Sequence, residues 1–419
     1  MIQTIRGFRD ILPEDTDLWQ KIETEAGALF QDFGFQEIRL PIVEKTELFA
    51  RSIGEATDIV EKEMYTFADR KGGKLTLRPE ATASVVRSYI QHRMYAADPV
   101  KKLYTIGPMF RRERPQKGRY RQFYQINAEV FGISSPYIDA QMILILNELF
   151  KRIGLTGLKA HVNSLGCPDC RPGFQNALKR FLDSKKEALC TNCVRRMETN
   201  PLRTLDCKVP ACRKALKDAP SPLDLLCQNC RDHFNTVKRI LEQQEIDFFV
   251  DKNLVRGLDY YSRTAFEIQT SALGAQSAVA GGGRYDALVK ELGGPEIPAI
   301  GFAIGFDRLA EIVDQLKEKK REKGPLLFIA TPKGDCIEKG YLLYSQLNLR
   351  GITTEMDFGS RSLKSLMKRA DKINAANVLI MDDQTRDSSG LILRNMTDKT
   401  QTTISEENTM DDMLTHLGY

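Results

Sequence analysis

The sequence predicts an α+β protein of two or three domains, and three observations carry that expectation. At 419 residues the chain is too long for one ordinary hydrophobic core. Two strand-like runs, residues 102–110 and 124–132, flank a basic stretch bent by Pro and Gly, as the arms of an antiparallel hairpin would. Residues 325–419 alternate strand-like with helix-like runs, the pattern of a small α/β domain.

The elements follow in order. Trp19, Ile22, Ala26, Leu29, Phe30 and Phe33 recur at three- and four-residue steps, which is one face of a helix. Pro13 stands near its start and Gly34 just past its end. The run FQEIRLP then reads as a strand ending at Pro41. The hairpin follows. Between Arg111 and Arg121 its loop carries six Lys or Arg against one Glu, an excess of five charges in a chain whose whole formal net charge is +5. A polar break after KRIGLTG (151–157) leads into a segment of short helical patterns. From about residue 248 strands and glycines return, including AGGGRYD (280–286) and IPAIGFAIGFDRL, a strand feeding a helix. KEKKREKG (317–324) is a charged linker into the last domain.

Composition narrows the class. Hydrophobic residues at 42% and charged residues at 28% describe a globular chain. There is no run of about 18 apolar residues and no apolar leader, so the expectation is a cytoplasmic protein without a membrane span. Phosphate-loop, zinc-helix and nucleophile-elbow signatures are missing, and four histidines give little room for a histidine-centred triad. Eight of the nine cysteines form four close pairs: Cys167 and Cys170, Cys190 and Cys193, Cys207 and Cys212, Cys227 and Cys230. Such knuckles could build two zinc sites of four thiolates each, or be reduced thiols of minor structural weight. Three pairings of the knuckles are possible, and His233 is an alternative ligand.

Other residues carry alternatives too. A basic loop is often no more than a solvated surface. Here Phe110, Tyr120 and Phe123 alternate with the arginines, which suits phosphate gripping and base stacking. Glu80 and Glu129, near strand ends, could each be salt-bridged surface carboxylates. AGGGRYD could be a close approach to a ligand or a tight turn.

Five stretches in order resemble a known family. GPMFRRERPQKGRYRQFYQ (107–125) is similar to motif 2 of the class II aminoacyl-tRNA synthetases, GFAIGFDRL (301–309) to motif 3 and LPIVEKTELF (40–49) to motif 1. LVRGLDYYSRTAFE (254–267) and GGGRYD (281–286) resemble the two signatures of histidyl-tRNA synthetases, of the bacterial type. The resemblance implies a class II antiparallel-sheet catalytic core with a cysteine-rich insertion and a C-terminal α/β anticodon-binding domain. The expected boundaries are 1–160 and 247–320 for the core, 161–246 for the insertion and 325–419 for the anticodon-binding domain. It implies activation of L-histidine with ATP and Mg2+ to histidyl-adenylate and pyrophosphate, then transfer to tRNA(His), in a homodimer formed through the motif 1 region. The alternative is the regulatory paralogue, which keeps the synthetase-like core but does not charge tRNA. A noncatalytic zinc-ribbon nucleic-acid-binding protein would leave Glu80, Glu129 and the tyrosines unexplained.

By position, the resemblance implies that Arg111 and Arg256 flank the reacting phosphorus as catalytic groups and also meet histidine. Glu113, Arg119, Phe123 and Arg308, with Arg111, would hold ATP. Glu80, Ala81, Thr82 and Gln125 would surround the α-amino group. Glu129 and Tyr261 would hold the imidazole, with Tyr260 and Tyr285 as pocket walls. Arg114 and Gln116 would meet the tRNA acceptor end, and Lys117 a phosphate. Three positions depart from the commonest pattern: Arg112 for an aromatic or His, Tyr124 for a frequent His, and Asp307 for Glu. The last leaves open whether Asp307 supports a metal ion.

Overall fold

The computed structural model describes residues 2–54, 57, 59–115, 118–205, 207–255, 258, 260–270, 278–316, 324–332, 336–382, 390–405 and 409–417. The chain divides into two compact units, Met1–Leu316 and Lys317–Tyr419.

The first unit begins with α1 (Pro13–Asp32), whose predicted apolar stripe is buried except for half-buried Phe33, which caps the helix beside Gly34 at φ +78°. Next come β1 (Gln36–Glu37), β2 (Val43–Lys45), α2 (Thr46–Ile53), β3 (Tyr65–Ala68), β4 (Lys74–Leu77) and α3 (Thr82–Gln91). The hairpin is β5 (Lys101–Phe110) and β6 (Gln122–Phe131), paired antiparallel from Lys101–Phe131 to Phe110–Gln122. After it run α4 (Pro136–Arg152), β7 (Lys159–Ser164), α5 (Arg171–Lys185), α6 (Thr191–Thr199), α7 (Pro210–Ala215), α8 (Gln228–Gln243) and β8 (Phe248–Val250). The unit closes with β9 (Ser262–Gln269), β10 (Ala278–Arg284), α9 (Leu288–Glu291), β11 (Ala299–Gly305) and α10 (Phe306–Leu316).

Eight strands form one sheet in the order β1-β5-β6-β11-β10-β9-β7-β8. Its central pairs are antiparallel, and only the outer pairs β1–β5 and β7–β8 are parallel. A parallel pair needs a long crossover; that between β7 and β8 is the whole cysteine-bearing segment. FQEIRLP is a shorter strand than its alternation suggests. Beyond Gln36–Glu37, Ile38 N still bonds to β5, donating to Tyr104 O at 2.8 Å, and Pro41 then has no N–H to offer.

The period of β6 sorts its side chains by face. Ile126, Ala128 and Val130 enter the core formed with α1, α4, α8 and α10, where Trp19 stacks on Phe306 at 4.2 Å. Gln125, Asn127 and Glu129 therefore take the opposite face, and it is this face that carries the cleft. Behind β10, Arg284 is fully buried and donates to Asp139, to Asp286 Oδ1 at 3.1 Å and to the Ile133 carbonyl at 2.9 Å. Burial disfavours the charge on Asp139, but bonds from His233 and Arg284 overcome this and hold its carboxyl below the usual range.

The second unit holds β12 (Leu327–Ala330), α11 (Ile337–Leu349), β13 (Thr354–Met356), α12 (Leu363–Lys372), β14 (Asn377–Ile380), β15 (Leu391–Asn395), β16 (Gln401–Ile404) and α13 (Thr409–Leu417). Its sheet order is β13-β12-β14-β15-β16, parallel through β14 and antiparallel beyond. The strand–helix alternation is as the sequence predicts. No helix among the described residues is long and apolar enough to cross a membrane.

Asp139→Asn removes the fully buried counterion of Arg284 and leaves it only the partly exposed Asp286. Urea denaturation is expected to show a loss of about 3 kcal/mol or more.

Candidate active site

The cleft lies over β6, β10 and β11 and has a volume of about 310 Å³, within the range of small-molecule sites. Phe123, Gln125, Asn127 and Glu129 follow one another along β6 at the two-residue strand period and span roughly 20 Å. Opposite them in register on β11 stand Gly305, Ala303 and Gly301, so small residues leave the floor open.

At one end the Glu129 carboxyl is buried. Thr82 Oγ1 donates to Oε1 at 2.7 Å and Tyr285 OH to Oε2 at 2.5 Å. Burial outweighs those bonds and pushes the carboxyl up to about 8. Tyr260 and Tyr261 pack at 4.6 Å, and Tyr260 meets Tyr285 edge-on at 5.6 Å, making an aromatic wall. The glycine-rich run is strand, not a tight turn. A Cβ on Gly283 would lie 2.9 Å from the Tyr261 ring, and one on Gly301 would overlap Glu129 Oε2.

Glu80 is no surface carboxylate either. Its oxygens accept from Thr82 N at 2.7 Å and Ala83 N at 2.9 Å, capping α3 beside Ala81, while burial raises its carboxyl. Gln125 Oε1 and both side-chain polar atoms of Asn127 are buried without a partner. Buried polar atoms of that kind cost stability unless a ligand or water meets them. The sequence reading missed Asn127. The polar alternation Gln125, Asn127, Glu129 in an otherwise apolar strand is the signal that points to it.

At the other end Arg111 is held by a bond from Nε to the Pro79 carbonyl at 2.8 Å, with its guanidinium 5.3 Å from the Phe123 ring centre. Glu113 sits between two cations, accepting from Arg119 at 3.1 Å with its other oxygen 3.8 Å from Arg111. Arg308 lines the same end and donates to the Ala278 carbonyl at 2.5 Å. Arg114 is exposed on the hairpin loop. Arg256, Gln116 and Lys117 lie outside the described residues. Asp307 has both oxygens engaged, by Arg9 at 3.0 Å and by Tyr124 N at 2.7 Å, so it clamps the N-terminal segment to β6.

Among the three possible pairings of the knuckles, one is observed, and it is nested. Cys167, Cys170, Cys227 and Cys230 converge as an outer set; Cys190, Cys193, Cys207 and Cys212 converge as an inner set. A tetrahedron with Zn–S bonds of ~2.3 Å has edges of ~3.8 Å. The sulfurs lie 3.6 Å apart for Cys167–Cys170, 3.9 Å for Cys167–Cys227 and 3.9 Å for Cys190–Cys207, far beyond disulfide length. Amides add to the fit: Cys227 N donates to Cys170 Sγ and Cys190 N to Cys212 Sγ, each at 3.1 Å. The Cys193 and Cys230 amides, followed by neighbouring thiols, lower Cys190 and Cys227 respectively to about 7, towards the thiolate a metal needs. His233 is not a ligand of the outer set. Its Nε2 donates to Asp139 at 2.7 Å and its Nδ1 faces Arg263 at 3.4 Å.

The chain is similar to known proteins over nearly its whole length. A family model described as histidyl-tRNA synthetase matches residues 7–309, and one described as an anticodon binding domain matches residues 327–415. The histidine–tRNA ligase of Desulforapulum autotrophicum is 70% identical over 414 residues, 99% of this chain and 97% of the relative. That of Desulfosudis oleivorans is 57% identical, covering 96% and 95%. The crystal structure of apo histidyl-tRNA synthetase from S. aureus superposes with a TM-score of 0.82 at 34% identity, covering 100% of each chain.

A raised acid binds its proton more tightly in the folded state. The stability contributed by protonated Glu129 is full below about pH 4.5 and is lost as pH climbs through about 8. Thermal melts of the ligand-free protein should fall over that window, and Glu129→Gln should flatten the fall. Equal slopes for both proteins would show that Glu129 titrates normally.

Proposed function

The chain belongs to the histidyl-tRNA synthetase family and ligates histidine to tRNA with ATP; from that premise we propose how its cleft does so. The observation that carries the proposal is the row along β6, which joins a buried carboxyl at one end to an arginine-framed aromatic at the other.

Histidine lies with its imidazole at Glu129 and Tyr261. Selectivity arises because an amino acid lacking ring nitrogens would leave Glu129 buried and unmatched. The α-amino group lies among Glu80, Thr82 and Gln125, against Asn127. The carboxylate points to Arg111. ATP places its adenine on Phe123, with Arg308 and Arg119 towards its phosphates. A carboxylate oxygen attacks the α-phosphorus, the bond to pyrophosphate breaks, and histidyl-adenylate forms. Both reactants are anionic, so cations held in place before reaction lower the barrier. Arg111 supplies one and Arg256 the second. Of the carboxylates that line the cleft, Glu267 and Glu113 would hold Mg2+, Glu113 giving up its pairs with Arg111 and Arg119 to do so; the ion's chemistry is to neutralise phosphate oxygens. In the second step a terminal ribose hydroxyl of tRNA attacks the acyl carbon and AMP leaves, with Arg114 and Gln116 at the acceptor end.

We further propose that residues 161–246 form the insertion over the acceptor stem and that residues 325–419 read the anticodon, which the second family match supports. That match also disfavours the regulatory alternative. Exposed Ile42, Val43 and Phe67 in and beside the β2-β4-β3 sheet support a homodimer through the motif 1 region. The two cysteine sets are proposed Zn2+ sites; the insertion's small apolar cluster gives a reason for such staples.

ATP–pyrophosphate exchange against the twenty amino acids should respond to histidine alone, and Arg111→Ala and Arg256→Ala should each slow it about 10²- to 10³-fold in folded protein. Near-normal exchange in either variant would remove that arginine from the reaction. Elemental analysis of chelator-washed protein should find about two Zn2+ per chain.

A further inference from the structure

We propose that the outer cysteine set is a positioning site for histidine recognition, and that the inner set is not. The inference rests on the reading that both sets bind Zn2+ and goes beyond it by giving them different tasks.

The outer set stands at the root of the insertion, where it leaves β7. Its first knuckle continues the β7–β9 ladder: Leu165 N donates to the Arg263 carbonyl at 2.7 Å, and Arg263 N to the Gly166 carbonyl at 2.9 Å. Cys167 follows at once. Cys170 is the cap of α5, and Arg171, the first residue of that helix, donates to the backbone carbonyl of Tyr261. A metal closing the first knuckle therefore fixes the base from which Arg171 reaches the imidazole wall.

The second knuckle reaches the same pocket from behind. Cys227 caps α8, and Cys230 lies in its first turn. One turn further, His233 takes a bond from Arg263 at its Nδ1, so its Nε2 carries the proton donated to Asp139. Asp139 in turn holds buried Arg284. Arg284 directly precedes Tyr285, whose hydroxyl donates to Glu129. The four thiolates thus tie together two supports, one under Tyr261 and one under Tyr285, that are otherwise linked through Arg263 and the β9–β10 pair Ser262–Arg284. Apart from a metal, the two knuckles are tied by Cys227 N donating to Cys170 Sγ at 3.1 Å, by the Cys167–Cys227 thiols at 3.9 Å and by packing on Leu226.

The inner set packs differently. Its apolar neighbours, among them Phe174, Leu178, Met197 and Leu216, all belong to the insertion. Its region meets the core through Arg195–Glu61 at 3.6 Å, a partly exposed pair of a kind worth little.

The test uses the full-length protein and reads zinc content together with the exchange KM for histidine and for ATP. Cys227→Ser with Cys230→Ser should lose about one Zn2+ and raise the histidine KM roughly tenfold to a hundredfold, with the ATP KM unchanged. Cys207→Ser with Cys212→Ser should also lose about one Zn2+ but keep the histidine KM near that of the unmodified protein. Arg171→Ala keeps every thiol. It should retain both metals and show the same selective rise in histidine KM, with Arg171→Lys recovering part of it. Should the outer cysteine variant not fold, the Arg171 pair decides. Retained zinc with an unchanged histidine KM in Arg171→Ala would overturn the positioning role alone. Zinc-free unmodified protein would overturn the metal reading beneath it.

Discussion

A carboxyl group buried between two donated hydroxyls is the constraint to which most of the cleft answers. Taking a carboxylate out of water costs several kcal/mol, and hydrogen bonds to Thr82 and Tyr285 return only part of that. Glu129 therefore holds its proton up to about 8 in the free protein. Three consequences are built into the chain. Residue 301 has to be glycine, because any Cβ would occupy the space of Glu129 Oε2. Tyr285 has to be held from behind, through Arg284 and Asp139. In the proposed arrangement, the entering ligand offers a polar group to this tyrosine-lined corner, as a ring with two nitrogens does.

The strand that carries Glu129 serves two masters through its pleat. One face of β6 completes the helix-covered core. The other carries, at successive two-residue steps, the aromatic, the amide groups and the acid that we assign to the two substrates. In the proposed arrangement, the hairpin places positive charge where ATP and a carboxylate approach one another and where a polyanion lands. A long antiparallel pair with its register fixed over ten residues is a stiff support for such a row. That suits a reaction that depends on positioning and preformed charge more than on proton transfer.

Much of this was legible in the sequence. Helix α1, the hairpin, the β11–α10 joint and the alternating C-terminal domain follow from local periodicity and turn residues. The residues lining the cleft came from motif resemblance, since Glu80 and Glu129 read alone are ordinary carboxylates. What stayed hidden depends on tertiary contact. Knuckle pairing requires knowing that β7 and β8 lie side by side, which brings the ends of the insertion together and nests the sets. His233 reads as a zinc ligand until Asp139, 94 positions away, is seen to hold it. Asp307 reads as a possible metal ligand until Arg9 and the Tyr124 amide are found on its two oxygens. Asn127 lay within reach, because its polar alternation along β6 is visible in the sequence.

The most direct measurement is a carbon-13 NMR titration of the Glu129 side-chain carboxyl, assigned by comparison with Glu129→Gln, in free protein and with L-histidine added. The resonance should titrate near about 8 in the free protein and shift on addition of histidine but not of other amino acids. A carboxyl titrating near the ordinary value of about 4.3 and indifferent to histidine would contradict the assignment of this corner as the imidazole site.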